Sequence, residues 1–407
     1  MDRCLGKYLG ECMIVRNVAI WFLETILSSL VVGLMLWLLP LLLAEYSLGV
    51  LSIVYAVSNA LNVFLPMIGG NISEVVGRKP IMILGSAIVT LSLFLMYVSQ
   101  KISGILSLIL FLVGAILFLS GGSISRPASG ALYMESCDQS KLGRMYSWLQ
   151  LVYTLSLSLG AFLLGSIVYL FSLDICLLLS TLLMLSLPLL RIFIIETHKP
   201  EPSRAGSFLA QVISKFRVLF TELGDRDIRL YTMILMLTSL VAWINLILPI
   251  FLSQDIHLAE KEISMFYAIS ILYQGLLSPL GGRFVDKHGF RKALIIASMI
   301  DFTCIGLFVL TVKTYPILGI SFLLFGGATT WFEGPAYFVV QEKITREKHR
   351  GAIFGAWNTI SGMVGVLPPI LVVFIWNINH LLPFIITAIV GITANLVLVL
   401  RIKLCED

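Results

Sequence analysis

The 407 residues are 58% apolar and 13% charged, with a mean hydropathy of +0.98, whereas a soluble domain is about 45–50% apolar and about 25% charged. So few charges exclude a water-facing surface over most of the molecule: lipid is the solvent, and the length divides into twelve crossings of roughly 20 residues with short loops. The net charge of +5 would suggest nucleic acid in a soluble chain, but here it is read as orientation, and no nucleic-acid partner is expected.

The chain opens on MDRCLGKYLGECMIVR, a polar and basic stretch followed by an apolar run too long for a signal-peptide core, so no cleaved leader is expected and the first helix is retained. Apolar runs between polar breaks predict helices near 18–44, 47–70, 80–99, 103–134, 143–170, 173–194, 228–252, 262–282, 290–312, 315–340, 351–377 and 380–401. The longest break, 195–227, separates a six-helix half at 1–194 from a second at 228–407. Within that break Phe208, Leu209, Val212, Ile213, Phe216, Leu219 and Phe220 recur at helical spacing against Gln211, Lys215, Arg217 and Glu222. That pattern predicts an amphipathic helix on the inner leaflet, tethering the halves.

With the N-terminus placed inside, 24 of the 28 Lys and Arg residues fall on the cytoplasmic side. Lys101, Lys261 and Lys313 stay outside, and Arg126 lies within a helix. Both termini and the central break are therefore expected in the cytoplasm, in a multi-pass protein of the cell membrane that works as a monomer. The six cysteines, at 4, 12, 137, 176, 304 and 405, show no C-x-x-C pair and read as free thiols.

The turn after the second helix, GGNISEVVGRKP, returns after the eighth as GGRFVDKHGFRK, so that Gly70, Glu74 and Gly77 match Gly282, Asp286 and Gly289 at an offset of 212. GGSISRPA on helix four and GGATTWFEGPA on helix ten align Pro127 with Pro335. Matches at equivalent places in equal halves indicate a duplicated unit. Gly70 and Gly282 are expected to let helices approach, and Gly77 and Gly289 to take the positive φ of a tight turn. Glu74 or Asp286 at the membrane edge can cap a neighbouring helix and pair with the Arg one turn on. Arg78 and Lys79, with Arg291 and Lys292, complete each turn.

These residues resemble the signature of the major facilitator superfamily: Gly, four residues to an acid, three more to Gly, then two basic residues. This chain departs from it with Glu74 for the usual Asp, Val75 where a basic residue is common, and Phe290 inserted before Arg291. The resemblance implies an all-α membrane fold of twelve helices in two pseudo-symmetric six-helix bundles, with the signature at the gate. It implies that Glu74 meets the start of helix eleven and Asp286 the start of helix five. It also implies that helices one, four, seven and ten line a central cavity, with three, six, nine and twelve behind.

An ionisable group at bilayer depth costs at least about 2.5 kcal/mol, so each needs a partner or a role. Glu24 (helix one), Arg126 (four), Asp301 (nine) and Glu333 (ten) are the candidates. On the implied layout Glu24, Arg126 and Glu333 fall on cavity helices at similar depth, two acids able to share one guanidinium. They are read as substrate- or proton-coupling residues, the alternative being that Arg126 is an inert lock on one acid. Asp301 reads as a packing contact. Gln150, Tyr153, Trp243, Asn245, Tyr273, Gln274, Trp331, Trp357 and Asn358 are candidate lining, aromatic and weakly charged, which suits a modest-sized amphipathic solute. Pro368 and Pro369 should bend helix eleven.

All five histidines sit in loops or at helix ends, so no metal site, histidine relay or cofactor is expected. There is no Walker-type loop and no nucleophile–base set, which argues against an ATP-driven pump and against an enzyme. The first reading is a secondary transporter that exports an amphipathic organic solute by alternating access with protons as the coupling ion. A uniporter or symporter for a sugar, organic acid or other metabolite is the second, with Arg126 holding an anion. A non-transporting membrane receptor or scaffold is the rival from another class, separable by a flux measurement.

Overall fold

The computed structural model describes residues 2–136, 142–197, 217, 221–327, 329–345 and 350–401. Of the expected amphipathic helix of the central break only residues 217, 221 and 222 are among the described ones, all helical; the rest lies outside them. Among the described residues eleven helices are long and apolar enough to cross a membrane, and the pair Ile353–Val364 and Pro368–Ile378, bent by 41°, makes twelve when counted as one broken span. The bend falls at Pro368 and Pro369: neither ring nitrogen can donate to the preceding turn, so the helix restarts there.

The first six spans are Arg16–Tyr46, Leu48–Val76, Arg78–Ser99, Ile105–Glu135, Trp148–Leu170 and Leu173–Ile192. Spans seven to ten are Arg226–Gln254, Glu260–His288, Phe290–Thr311 and Pro316–Ile344, and the twelfth is Leu382–Arg401. The connections are short and locally satisfied. Ser47 accepts from the N–H of Val50 at the second span's start, and Ser172 from that of Ile175 at the sixth's. Lys101, after the third span, pairs with Asp174 in the first turn of the sixth, and that hydrogen bond holds its amine above the usual lysine range.

Among the described residues four spans are interrupted. The fourth passes through a 3₁₀ segment, Gly121–Ser125, and the seventh breaks between Leu240 and Ile244. The tenth leaves the α-helix in a turn at Gly327, whose N–H donates to the Leu324 carbonyl three residues back, and the eleventh breaks before its prolines. Interrupted backbone carries unpaired polar groups, tolerated in a membrane only against protein or along a water-filled cavity.

The chain forms two compact units: Met1–Leu39 with Val57–Phe208 and Glu260–Ala268, and Pro40–Ala56 with Leu209–Ala259 and Ile269–Asp407. In the first, Ile20, Ile81, Met82, Ala128, Leu132, Tyr133 and Ile194 form one buried cluster. In the second, Tyr231, Phe290, Leu294, Val340, Ile353, Trp357 and Leu398 belong to one core. A separate aromatic knot near the other end of its helices sets Phe251 against Phe308, Trp376 and Phe384 at 5.1–6.4 Å.

Candidate functional site

In the first unit Glu24 is 5% exposed and fully engaged. Arg191 Nε donates to its Oε1 at 2.8 Å, and the Tyr133 hydroxyl donates to its Oε2 at 2.5 Å. Arg191 also donates to the Met82 carbonyl, and Trp21 stacks on Tyr133 at 4.6 Å. These contacts join spans one, three, four and six. The guanidinium beside Glu24 is thus that of Arg191, which the sequence reading had counted among the basic charges of the central break. Its signal was a charge inside the apolar run 173–194.

Arg126 stands elsewhere. It is the first residue of the α-helical turn that follows the 3₁₀ break, it is exposed, and it lies close enough to Tyr153 of the fifth span to act on it electrostatically. Gln150, three residues before Tyr153 and also exposed, shares that helix face. Arg126 and Tyr153 are therefore neighbours beside the fourth span's interruption, with Gln150 about one turn along the fifth span from Tyr153.

In the second unit the interruption of the tenth span is followed by Trp331, whose ring meets Tyr273 at 4.7 Å, and Tyr273 meets Phe325 at 6.2 Å. Gln274 adjoins this group, donating to Ser270 Oγ at 2.8 Å. The Trp331 indole N–H is buried and has no hydrogen-bond partner among the described residues. Two residues further on, Glu333 accepts from Asn395 Nδ2 at 2.7 Å, and Asn395 Oδ1 accepts from the Tyr337 hydroxyl at 3.0 Å. Asn395 of the twelfth span is fully buried, and the sequence reading passed over it because an amide costs less at depth than a charge.

Two expected lining residues are placed differently. Trp243 is 2% exposed and donates to the Pro383 carbonyl at 3.1 Å; Trp357 is 2% exposed, donates to Thr232 Oγ1 at 2.9 Å and packs on Tyr231. Both indoles are consumed in their own unit's packing, because a large apolar ring gains more from burial than from a wet wall. Asn245 and Asn358 are exposed.

The duplicated turns keep their expected backbone, Gly77 having φ 103° and Gly289 φ 81°. The close approach belongs to a different glycine. A Cβ on Gly69 would sit 1.8 Å from the Ile124 carbonyl oxygen, and one on Gly281 would sit 1.8 Å from that of Trp331. At Gly70 the nearest atom is 3.6 Å away, and at Gly282 nothing lies within 4 Å. The glycine doublets thus press spans two and eight onto the interruptions of four and ten by their first members.

Arg78 pairs with Glu135 at the end of span four rather than with Glu74. Lys79 is tied to the chain leaving span six, its backbone N–H donating to Glu196 Oε2 at 2.8 Å and its ammonium to the Ile192 carbonyl at 2.6 Å. Glu196 therefore serves as the acid at the third span's N-terminus, where Gly77 offers no side chain. Glu74, Asp286 and Lys292 are exposed, and Arg291 lies 5.8 Å from the Phe290 ring. The helix starts expected to receive Glu74 and Asp286 adjoin 346–349 and 137–141, outside the described residues.

The profile of the Major Facilitator Superfamily matches residues 21–244 and 230–404. The chain is 26% identical over 177 residues to multidrug resistance protein 1 of Bacillus subtilis, covering 42% of this chain and 45% of that protein. It is 25% identical over 148 residues to quinolone resistance protein NorA of Staphylococcus aureus, covering 36% of this chain and 37% of that one. The matched segment thus spans less than half of either relative. A D-xylose–proton symporter superposes with a TM-score of 0.72 at 15% identity, covering 96% of this chain and 98% of the symporter. A POT family transporter in complex with 5-aminolevulinic acid gives 0.73 at 12% identity, covering 94% and 95%. At such identities the two structures speak for the fold alone.

Proposed function

We propose that this chain, which belongs to the Major Facilitator Superfamily, exports modest-sized amphipathic organic compounds across the cell membrane, as a monomer, in exchange for protons. It is a membrane transporter of small molecules and not an enzyme; cargo, coupling ion and direction are the proposal. The observation that carries it is Glu333: a carboxylate within the tenth span, held by one amide and without a cation among the described residues, two residues from an aromatic group with an unpartnered indole N–H. An acid so placed has reason to take up a proton, and rings of that kind suit flat apolar cargo. The two resistance proteins that resemble this chain in part support the same reading. The paired turns with their glycine contacts supply a gate for alternating access.

The exposed guanidinium of Arg126 favours a second reading, in which an anionic metabolite is carried by uniport or symport. Proteoliposomes with an imposed pH gradient separate the two. Under the first reading, a lipophilic fluorescent cation or a quinolone accumulates against its gradient, and Glu333→Gln reduces that at least about tenfold while leaving downhill exchange intact. Accumulation independent of the pH gradient, or normal coupling in Glu333→Gln, overturns the first reading. Flux of no tested solute overturns the proposed cargo class.

A further inference from the structure

Glu333 does not stand alone. Asp301, at the middle of the ninth span, points its Oδ2 to within 3.7 Å of where a Cβ on Gly391 would lie. Gly391 precedes Asn395, the partner of Glu333, by four residues, so both acids abut one face of the twelfth span a turn apart. Their depths agree. Asp301 is eleven residues from the start of its span at Phe290, and Glu333 eleven from the end of its own at Ile344. At about 1.5 Å per residue each is roughly 16 Å from the same face. Glu333 lies near enough to bear electrostatically on Asp301, and around the two stand Cys304, Tyr337, Gly391 and Asn395 with no cation among the described residues. Asp301 itself makes no hydrogen bond among the described residues, and Glu24, by contrast, has both a guanidinium and a phenol.

We propose that Asp301 is the second carboxylate of the coupling site, and that Asn395 is the positioning residue that decides which of the two acids holds the single proton they share. The proposal rests on the proton-coupled reading of Glu333. Two anions at bilayer depth repel, and neither has a countercharge among the described residues, so the pair takes one proton from hydronium at a carboxylate oxygen and later returns it to water. The pair's charge passes between −2 and −1, with no other bond made or broken. The Tyr337 hydroxyl donates to Asn395 Oδ1 and so turns Nδ2 toward Glu333. That N–H stabilises ionised Glu333, leaving Asp301, which receives no donor, as the carboxyl that carries the proton. Asp301, read from the sequence as a packing contact, is then a working residue on a supporting helix, and the proton site lies on the twelfth-span side of span ten.

The test uses full-length protein in liposomes and needs no cargo. Difference infrared spectra taken across a pH titration read the carboxylic C=O stretch directly. Wild type should show a pH-dependent band equivalent to one proton, and Asp301→Asn should remove it. Asn395→Leu, which deletes the donor, should tighten proton binding about tenfold, with Asn395→Gln restoring the wild-type midpoint in part. An unchanged band in Asp301→Asn, or an unmoved midpoint in Asn395→Leu, overturns the proposal, and cargo flux in the same liposomes reports on the parent reading separately. Loss of pH-driven accumulation in Glu333→Gln, with Asp301→Asn spectrally and functionally silent, would leave Glu333 as a lone coupling acid. Normal accumulation in both would sink proton coupling through this region.

Discussion

Glu24, Arg126 and Glu333 are alike as charges in apolar runs, and what they touch separates them. Glu24 meets a guanidinium and a phenol and is closed off from water, an arrangement that joins four helices. Removing one partner of such a pair leaves an uncompensated buried charge, a loss on the order of 3–5 kcal/mol. Arg191→Met should therefore lower the melting temperature sharply in detergent, and Glu24→Gln combined with it should recover part of the loss. Arg126 is exposed, and Arg126→Ala should stay within about 0.5 kcal/mol of wild type. If it holds cargo or steers protons, the same variant loses at least about tenfold in transport. A melting curve that falls as far for Arg126→Ala as for Arg191→Met would make Arg126 a structural lock.

At the scale of elements, the glycine doublets and the interrupted spans belong together. Spans four and ten lose regular hydrogen bonding beside the positions where Gly69 and Gly281 let a neighbouring helix come into backbone contact. A packed helix there shields polar backbone that lipid could not satisfy. Gly69→Leu and Gly281→Leu should each cost more than about 3 kcal/mol, since backbone and not a pliable side chain blocks the new Cβ. Gly282→Ala should be tolerated, because open space surrounds that position. Monodispersity and melting in detergent check the pair, and equal damage at 281 and 282 would show that the doublet acts by flexibility rather than by contact. The clasp of Arg78 to Glu135 and Lys79 to Glu196 and Ile192 belongs to this scale too, since it anchors the chain entering the central break to the base of span three.

For the whole molecule, the uneven distribution of basic residues is the only guide to orientation. Cysteines placed at Glu74 and at Gln254, in an otherwise cysteine-free protein, should respond oppositely to an impermeant thiol reagent on intact cells: position 254 reacts and position 74 is spared. The reverse would invert the topology and with it the direction of export. Replacing Cys176 for this purpose needs a small residue, because it is fully buried and its thiol meets the Leu164 carbonyl at 3.4 Å.

The number of crossings, the duplication and the positive-φ turns at Gly77 and Gly289 were all legible in the chain, because each is a local property. Hydrophobic length, repeated spacing and the absence of a Cβ act on the segment that carries them, wherever the rest of the protein goes. The bend at Pro368–Pro369 was legible for the same reason. Partnership was not. Arg191 reaches Glu24 from 167 positions away, Asn395 reaches Glu333 from 62, and Gly69 rather than Gly70 faces Ile124. Which guanidinium neutralises which acid, which tryptophan is spent on packing, and which member of a doublet is the contact depend on helix rotation and depth. These are set by how all the apolar faces pack at once, and only the tertiary structure decides them.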